Sequence, residues 1–391
     1  MTAPLVVHLI YKLDCGGMEN LLIERINRMP PASYRHAVIC LTDHTDFAQR
    51  IRRPGVELHA LHKPPGLALA THAALYRLLR RLRPTILHSY NLSAIEYGPA
   101  AWLAGVPVRI NGAHGRSAGD PTGSNRKHNL LRRLMLPFYD TCYANSAEMQ
   151  QWNRNVIGVP QHKSALLPNG IDTERYRPAS HDDGNRPLEQ IFGPGHIVIG
   201  SVGRVEPVKN HGCLVDAFAA LTARRPDLAP KLRLAIIGDG PQLPQLRARV
   251  QAAGLDAAAW LPGARSDVAD ILRGLAIFAL PSVAEGTPGA ALEAMASAVP
   301  VVGSDVGGVP EVVADGICGA LVPPNDPAAL SAALERYAAE PQLAAAHGAA
   351  GRARVQQRYA MTAMVAAYQG LYDELCKRKL KLKGQVESCA E

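Results

Sequence analysis

The residues best suited to chemistry lie on two loops in the second half of this 391-residue chain. Glu285-Gly286-Thr287-Pro288-Gly289 leads into a helical pattern that carries Glu293. Gly286 and Gly289 let the backbone approach a ligand, and the first free N–H groups of the following helix form an anion site. Glu285 stands at the loop mouth and Glu293 about two turns further on, so the pair can address different parts of one ligand. Taken alone, the same spacing also fits a capping glutamate and a surface one. Gly203-Arg204-Val205-Glu206-Pro207-Val208-Lys209-Asn210 presents an Arg and a Lys five positions apart. Two cations aimed at one point suit a diphosphate, with charge-assisted hydrogen bonds worth roughly 1.5–3 kcal/mol each. In the first half, Gly16-Gly17-Met18-Glu19 opens a comparable loop. The chain has no G-x-G-x-x-G, which argues against a nicotinamide enzyme.

Each loop follows an apolar run of strand length. In the first half these runs are Leu5–Ile10, Tyr34–Leu41, Thr85–His88, Val106–Asn111, Thr141–Ala144 and Ala165–Leu167. In the second they are Ile197–Val202, Leu232–Ile237, Ala276–Leu280, Val299–Val302 and Ala320–Val322. Helical patterns alternate with them, the rhythm of an α/β chain with two parallel sheets covered on both faces. Ligands of such sheets sit at the carboxyl ends of strands, where the three loops lie. A Pro-, Gly- and Asp-rich stretch between Tyr176 and Gly195 predicts the linker. The expected division is a first domain over 1–188, a second over 189–356, a C-terminal helix over 357–376 that packs back on the first domain, and a frayed basic tail over 377–391.

Composition narrows the function. The longest apolar runs are too short to span a bilayer, and the opening residues lack the basic region and cleavage site of a secretory signal. Seven scattered cysteines without a C-x-x-C pair argue against a disulfide framework or zinc knuckle and for a reducing cytosol. The net charge of +8 resides entirely in residues 1–190, which hold 23 Lys and Arg against 15 Asp and Glu. Such asymmetry points to an anionic partner for that half. Basic residues without interleaved aromatics or a groove-binding motif make nucleic acid the weaker option. Two basic amphipathic stretches, His72–Arg83 and Asn125–Leu136, fit solvated helices or a membrane-surface contact; in the second, Leu130, Leu131, Leu134 and Met135 form the expected apolar face.

The order of Gly16-Gly17-x-Glu19, Asn145-Ser146, Pro168-Asn169-Gly170-Ile171-Asp172, Gly203-Arg204 with Lys209-Asn210, Gly238-Asp239-Gly240-Pro241, Leu261-Pro262-Gly263 with Asp267-Val268, and Glu285 to Glu293 resembles glycosyltransferase family 4. Its members are retaining enzymes of the GT-B fold, two Rossmann-like doubly wound domains facing a central cleft. The sequence also looks like the sugar transferases of bacterial exopolysaccharide and exosortase gene clusters.

The resemblance implies that Arg204 and Lys209 bind the donor diphosphate and Glu293 the ribose. It implies that Glu285, Gly286, Thr287, Pro288 and Gly289 hold the transferring sugar, that Gly16 and Gly17 close over the phosphates, that Gly203 begins the phosphate loop, and that Arg265 lies near the base. His114 matches the histidine beside the sugar. His114, Glu285, Arg204 and Lys209 are the expected catalytic set. Met18 stands where the family favours a small residue, and Thr287-Pro288 replaces a commoner apolar and small pair. No Asp-x-Asp is present, so the cations and helix N-termini are expected to neutralise the leaving diphosphate without a metal. No cofactor is expected beyond a UDP- or GDP-type donor as co-substrate. The expected acceptor is a lipid-linked or polysaccharide precursor, with the protein cytoplasmic or peripheral on an anionic inner membrane face and without nucleic acid. A nucleotide-sugar 2-epimerase of the same fold and a non-enzymatic nucleotide-sugar-binding protein are the alternatives.

Overall fold

The computed structural model describes residues 3–387, except 67, 116–119, 121–122, 181–182 and 185–186, with side chains through Leu380. Four residues of the expected linker and the last four of the expected tail therefore lie outside the described residues.

Two compact units are present. The first holds seven parallel strands: β1 (Leu5–Ile10), β2 (Arg35–Cys40), β3 (Glu57–Ala60), β4 (Ile86–Tyr90), β5 (Val108–Ala113), β6 (Thr141–Ala144) and β7 (Ser164–Leu166). Their order is β3-β2-β1-β4-β5-β6-β7. The second holds β8 (Ile197–Val202), β9 (Leu232–Ile237), β10 (Ala259–Gly263), β11 (Ile277–Leu280), β12 (Val301–Ser304) and β13 (Gly319–Val322), in the order β10-β9-β8-β11-β12-β13. Every residue of β1 is buried, as a parallel strand covered on both faces requires. The strand order reverses between β1 and β4, and again between β8 and β11. Loops diverge at such points and leave room for a ligand.

Two strands escaped the sequence reading, and both are edge strands. β3 is half-exposed and polar (Glu-Leu-His-Ala). β10 carries Pro262, and its pairing with β9 shifts register between Trp260 and Gly263, a device that edge strands tolerate and central ones do not.

The domain boundary falls earlier than expected. The first unit comprises Met1–Gly170 and Thr362–Glu391, and the second comprises Ile171–Met361. The cause is an added bridge: Ile171 N–H donates to the Tyr359 carbonyl (2.8 Å), and Met361 N–H donates to that of Ile171 (2.9 Å). Tyr176 and Leu188 then join the core of the second unit. This division sharpens the charge asymmetry to +11 for the first unit (25 Lys and Arg, 14 Asp and Glu) and −3 for the second (17 against 20).

The C-terminal helix spans Met361–Glu387, so residues expected as a frayed tail continue it; Lys, Arg and Leu are good helix formers and no proline interrupts them. Its Tyr368, Tyr372 and Leu375 are buried in the first unit. Tyr34 Oη donates to Asp373 (2.6 Å), and Lys379 Nζ lies 2.5 Å from Asp140. The Tyr368 ring lies under the buried Arg25 guanidinium, 4.0 Å from its carbon. Tyr368→Ala removes both packing and this cation–π partner, and is expected to cost about 3–5 kcal/mol. The first unit's urea transition, followed through buried Trp152, should move to lower denaturant by that amount.

Candidate active site

In the second unit the site forms at the β8/β11 reversal. After β8 the chain turns at Gly203 and runs to a short helical turn, Pro207–Lys209, before the helix His211–Arg224. The loop after β9 supports it from below. Gly203 N–H donates to the Ile237 carbonyl (3.0 Å) and Val205 N–H to that of Asp239 (2.9 Å). A Cβ at Gly238 would fall 1.8 Å from the Gly203 carbonyl oxygen, so this glycine is required by close approach of two backbones. The Gly238-Asp239-Gly240 motif is thus a buttress for the cationic loop.

Lys209 and Glu285, 76 positions apart, meet here. Lys209 Nζ is 2.7 Å from Glu285 Oε1, and the same oxygen accepts a 2.6 Å hydrogen bond from Ser282. Val283 N–H donates to the Val208 carbonyl (2.9 Å), fastening the β8 and β11 loops together. The Glu285 backbone is clamped from behind: a Cβ at Gly307 would lie 2.0 Å from its carbonyl oxygen, and Gly307 has φ +52°. Arg204 behaves differently. It touches Glu206 (3.1 Å), yet 74% of its side chain is exposed, so it is available to a ligand.

Gly286 and Thr287 are half-buried, Pro288 is buried and caps the eight-residue helix Gly289–Ala296, and Gly289 is exposed at its first turn. Glu293 sits inside this helix and is hydrogen-bonded by Tyr176, with Arg175 close by. Burial outweighs both and pushes its carboxyl up to about 7. Arg265 is committed to Asp267 (2.7 and 2.9 Å) and lies over Trp260. Its guanidinium is engaged within its own loop.

In the first unit, Gly16 precedes the helix Gly17–Arg28, and Asn20 N–H returns to its carbonyl (2.9 Å). A Cβ at Gly16 would strike the Glu19 carboxylate at 2.2 Å, whereas Gly17 faces open space. Met18 points away and packs on the Leu22–Ile23 cluster, so its bulk is absorbed by the core and not by the loop. His114 follows β5. Its N–H donates to Asn91 Oδ1 (2.9 Å), Asn145 donates to its carbonyl (3.3 Å), and Nε2 lies 2.7 Å from Tyr143 Oη. Burial, then the positive charge of Arg25, holds its ring down to about 3, so it is neutral at physiological pH. Ser146 accepts from Met149 N–H as a helix cap. Among the described residues no group of three metal-ligating side chains is present.

Ser282, Gly307, Tyr176, Asn91 and Tyr143 were not anticipated. Only the Gly307-Gly308 pair after an apolar run offered a signal in the sequence.

Two doubly wound units with cations, a glycine-rich loop and two glutamates at the strand ends define a glycosyltransferase of the GT-B class. Residues 15–175 match the model described as Glycosyltransferase Family 4, and residues 196–340 that described as Glycosyl transferases group 1. The D-inositol 3-phosphate glycosyltransferase of Actinosynnema mirum is 30% identical over 377 residues, covering 87% of this chain and 88% of that protein. The Escherichia coli UDP-Gal:alpha-D-GlcNAc-diphosphoundecaprenol alpha-1,3-galactosyltransferase is 30% identical over 80% of this chain and 82% of its own. Among solved structures, Anabaena HepE with UDP and glucose superimposes with a TM-score of 0.83 at 19% identity, covering 95% of this chain and all of that one. The chain belongs to glycosyltransferase family 4.

Glu293 supplies a test of this electrostatic description. Its carboxyl rises from 4.5 to about 7 on folding, so the folded state holds the proton more tightly than the unfolded one. Its contribution to stability is therefore present below about pH 4.5 and lost as pH rises through 7. Glu293→Gln should lose less thermal stability between pH 5 and pH 7.5 than the parent, in paired melting curves.

Proposed function

We propose that the protein is a retaining glycosyltransferase that moves a sugar from a UDP- or GDP-type donor to a hydroxyl of a lipid-linked or saccharide acceptor in bacterial exopolysaccharide synthesis. The observation that carries this reading is the Lys209–Glu285 contact at the strand-order reversal, with the exposed Arg204 on the same loop as Lys209 and the Gly289–Ala296 helix following Glu285 in the chain. HepE, of the same fold, was solved with UDP and glucose, and the name of the Escherichia coli relative specifies a diphosphoundecaprenol acceptor.

In this mechanism the anomeric carbon–oxygen bond to the diphosphate breaks while the acceptor oxygen bonds to that carbon from the same face. The acceptor proton passes to a donor phosphate oxygen, so no protein nucleophile and no metal is assigned. Negative charge builds on the departing diphosphate. Arg204, Lys209 and the helix N–H groups are preorganised for it, which is where electrostatic stabilisation counts most. Lys209 keeps one N–H on Glu285 and offers another to the phosphate, and Glu285, still held by Ser282, accepts from sugar hydroxyls. Glu293 in its ionised form accepts from the ribose, and His114 lies beside the sugar. Gly16 and Gly17 offer backbone N–H groups to the phosphates, and Arg265 backs the base.

The first unit gives the acceptor side a surface. On the helix Leu69–Leu82, Leu75 and Leu79 are buried while Arg77, Arg80 and Arg81 are exposed. The helix Arg126–Met135 departs from expectation: Asn129 is buried, Leu131 and Met135 are partly buried, and Arg132 stacks over Trp152 (5.1 Å). Leu130 and Leu134 are 55% and 58% exposed, beside exposed Arg126, Lys127 and Arg133. Exposed Trp102 meets Phe138 at the end of this helix. Exposed leucines among arginines on a unit of charge +11 suit an anionic bilayer surface that holds a lipid-linked acceptor.

Two measurements test the reading. Arg204→Ala should weaken UDP or GDP binding by roughly 1.5–3 kcal/mol in calorimetry, and an unchanged affinity would place the phosphate site elsewhere. Sedimentation with anionic liposomes should be salt-sensitive and fall sharply in Leu130→Ser/Arg133→Ser/Leu134→Ser. Undiminished binding would remove this helix from the membrane contact.

A further inference from the structure

Where the strand order of the first unit reverses, the chain leaves β4 through a residue in the left-handed region. Asn91 has φ +59°, a conformation that asparagine tolerates and that bulky or branched side chains do not. Strain of this kind persists only where the surroundings fix it, and it concentrates at functional sites. Here the surroundings are the two neighbouring strands. The Asn91 carbonyl accepts from Asn111 Nδ2 (3.3 Å) on β5, and that amide also donates to Ser89 Oγ (3.0 Å) on β4. The Asn91 side chain then crosses to the end of β5, where its Oδ1 accepts the His114 N–H at 2.9 Å.

His114 stands one residue beyond β5, whose ladders end with the Tyr90–Gly112 pair on one side and the Ala113–Ala144 pair on the other. Its backbone groups therefore take their partners from side chains. Asn91 supplies an acceptor from the β4 side, and Asn145, just after β6, donates to the His114 carbonyl (3.3 Å). A backbone N–H can only donate and a carbonyl can only accept, so both amides are oriented without ambiguity. The Asn91 bond is the shorter of the two. Glycine would hold φ +59° without steric cost; what asparagine adds at this position is the acceptor oxygen.

We propose that Asn91 is a positioning residue of the transfer reaction: it holds the peptide that joins Ala113 to His114 and so sets where the imidazole stands beside the transferring sugar. The inference rests on the reading that His114 lies beside that sugar. At the end of a strand this peptide is free to rotate unless its N–H is held, and a small rotation there swings the ring through a larger arc. A misplacement of about 1 Å at a reacting centre costs about a hundredfold in rate. The hold acts through the backbone, so it is the same whichever ring nitrogen carries the proton.

Asn91→Gly keeps the backbone conformation and deletes the acceptor, whereas Asn91→Asp keeps an acceptor oxygen at the same reach. Hydrogen exchange of the full chain, labelled with nitrogen-15 histidine, reads the His114 N–H without turnover. That N–H should exchange about five- to tenfold faster in Asn91→Gly and return towards the parent rate in Asn91→Asp. With a nucleotide-sugar donor, kcat should fall about ten- to a hundredfold in Asn91→Gly, with the nucleotide dissociation constant unchanged and most of the loss recovered in Asn91→Asp. In a His114→Ala background the Asn91→Gly change should cost nothing further, because the ring it places is gone; a merely structural effect would add in full. Unaltered exchange or unaltered kcat in Asn91→Gly, or a full additional loss in the double variant, would overturn the proposal. Parent kcat in His114→Ala alone would instead overturn the reading that this ring meets the sugar, and the exchange rate, which measures the Asn91 hold by itself, tells the two failures apart.

Discussion

A guanidinium without a carboxylate stands at the centre of the first unit. Arg25 is 1% exposed, and among the described residues no Asp or Glu lies within ion-pair distance of it. Burying a bare charge is expensive unless its surroundings answer it. Here the answer comes from tyrosine: the Tyr90 hydroxyl accepts from it, and the Tyr90 and Tyr368 rings turn their faces to it. Three histidines on adjacent strands, His8, His36 and His88, are then kept uncharged by burial and by that same cation. The C-terminal helix is bound into the unit because it supplies Tyr368 and Tyr372. Polar groups and packing are thus a single arrangement, and none of its members can be made apolar alone without leaving another unmet.

The second unit solves a different problem, which is to hold flexible loops in register at the end of a rigid sheet. The solution is backbone against backbone. Gly238 lets the β9 loop press on Gly203, Gly307 lets the β12 loop press on Glu285, and Val283 ties to Val208. Side chains play little part in this scaffold and are left free for chemistry. The Lys209–Glu285 pair rests across the two loops, so each residue is held in place before a ligand arrives. Preorganisation of this kind lowers the reorganisation needed when charge moves.

Much of this was legible in the sequence where one physical signal dominated. β1, β8 and β9 were read to the residue because predominantly apolar stretches of strand length, broken by no more than two small or polar residues, admit one interpretation. β3 and β10 were missed because edge strands are paired on one side only and tolerate Glu57 or Pro262. The helix Arg126–Met135 shows a subtler limit. Two stripes of leucine overlap on it, and the core took the one with Leu131, Met135 and the stem of Arg132, leaving Leu130 and Leu134 outside. The candidate site residues were chosen through their types, their loop positions and the family resemblance. Their partners, Ser282 for Glu285 or Tyr143 for His114, depend on segments brought together only by the sheet order, which local spacing does not encode. The domain boundary was misplaced for the same reason: the Ile171–Tyr359 pairing joins segments nearly 190 positions apart.

The discontinuity of the first unit bears on the order in which the chain acquires structure during synthesis. Residues 171–361 form a contiguous unit with its own sheet and core, and that segment can fold as soon as it has left the ribosome. Residues 1–170 emerge earlier yet lack the helix that covers Arg25 and the buried histidines. Their sheet lacks this cover, with His8, His36 and His88 left without it, until the helix that begins at Met361 is made. A histidine-rich face is well suited to that interval. It is soluble enough to stand exposed without recruiting other apolar chains, and it becomes a packed interior only when Tyr368 and Tyr372 arrive.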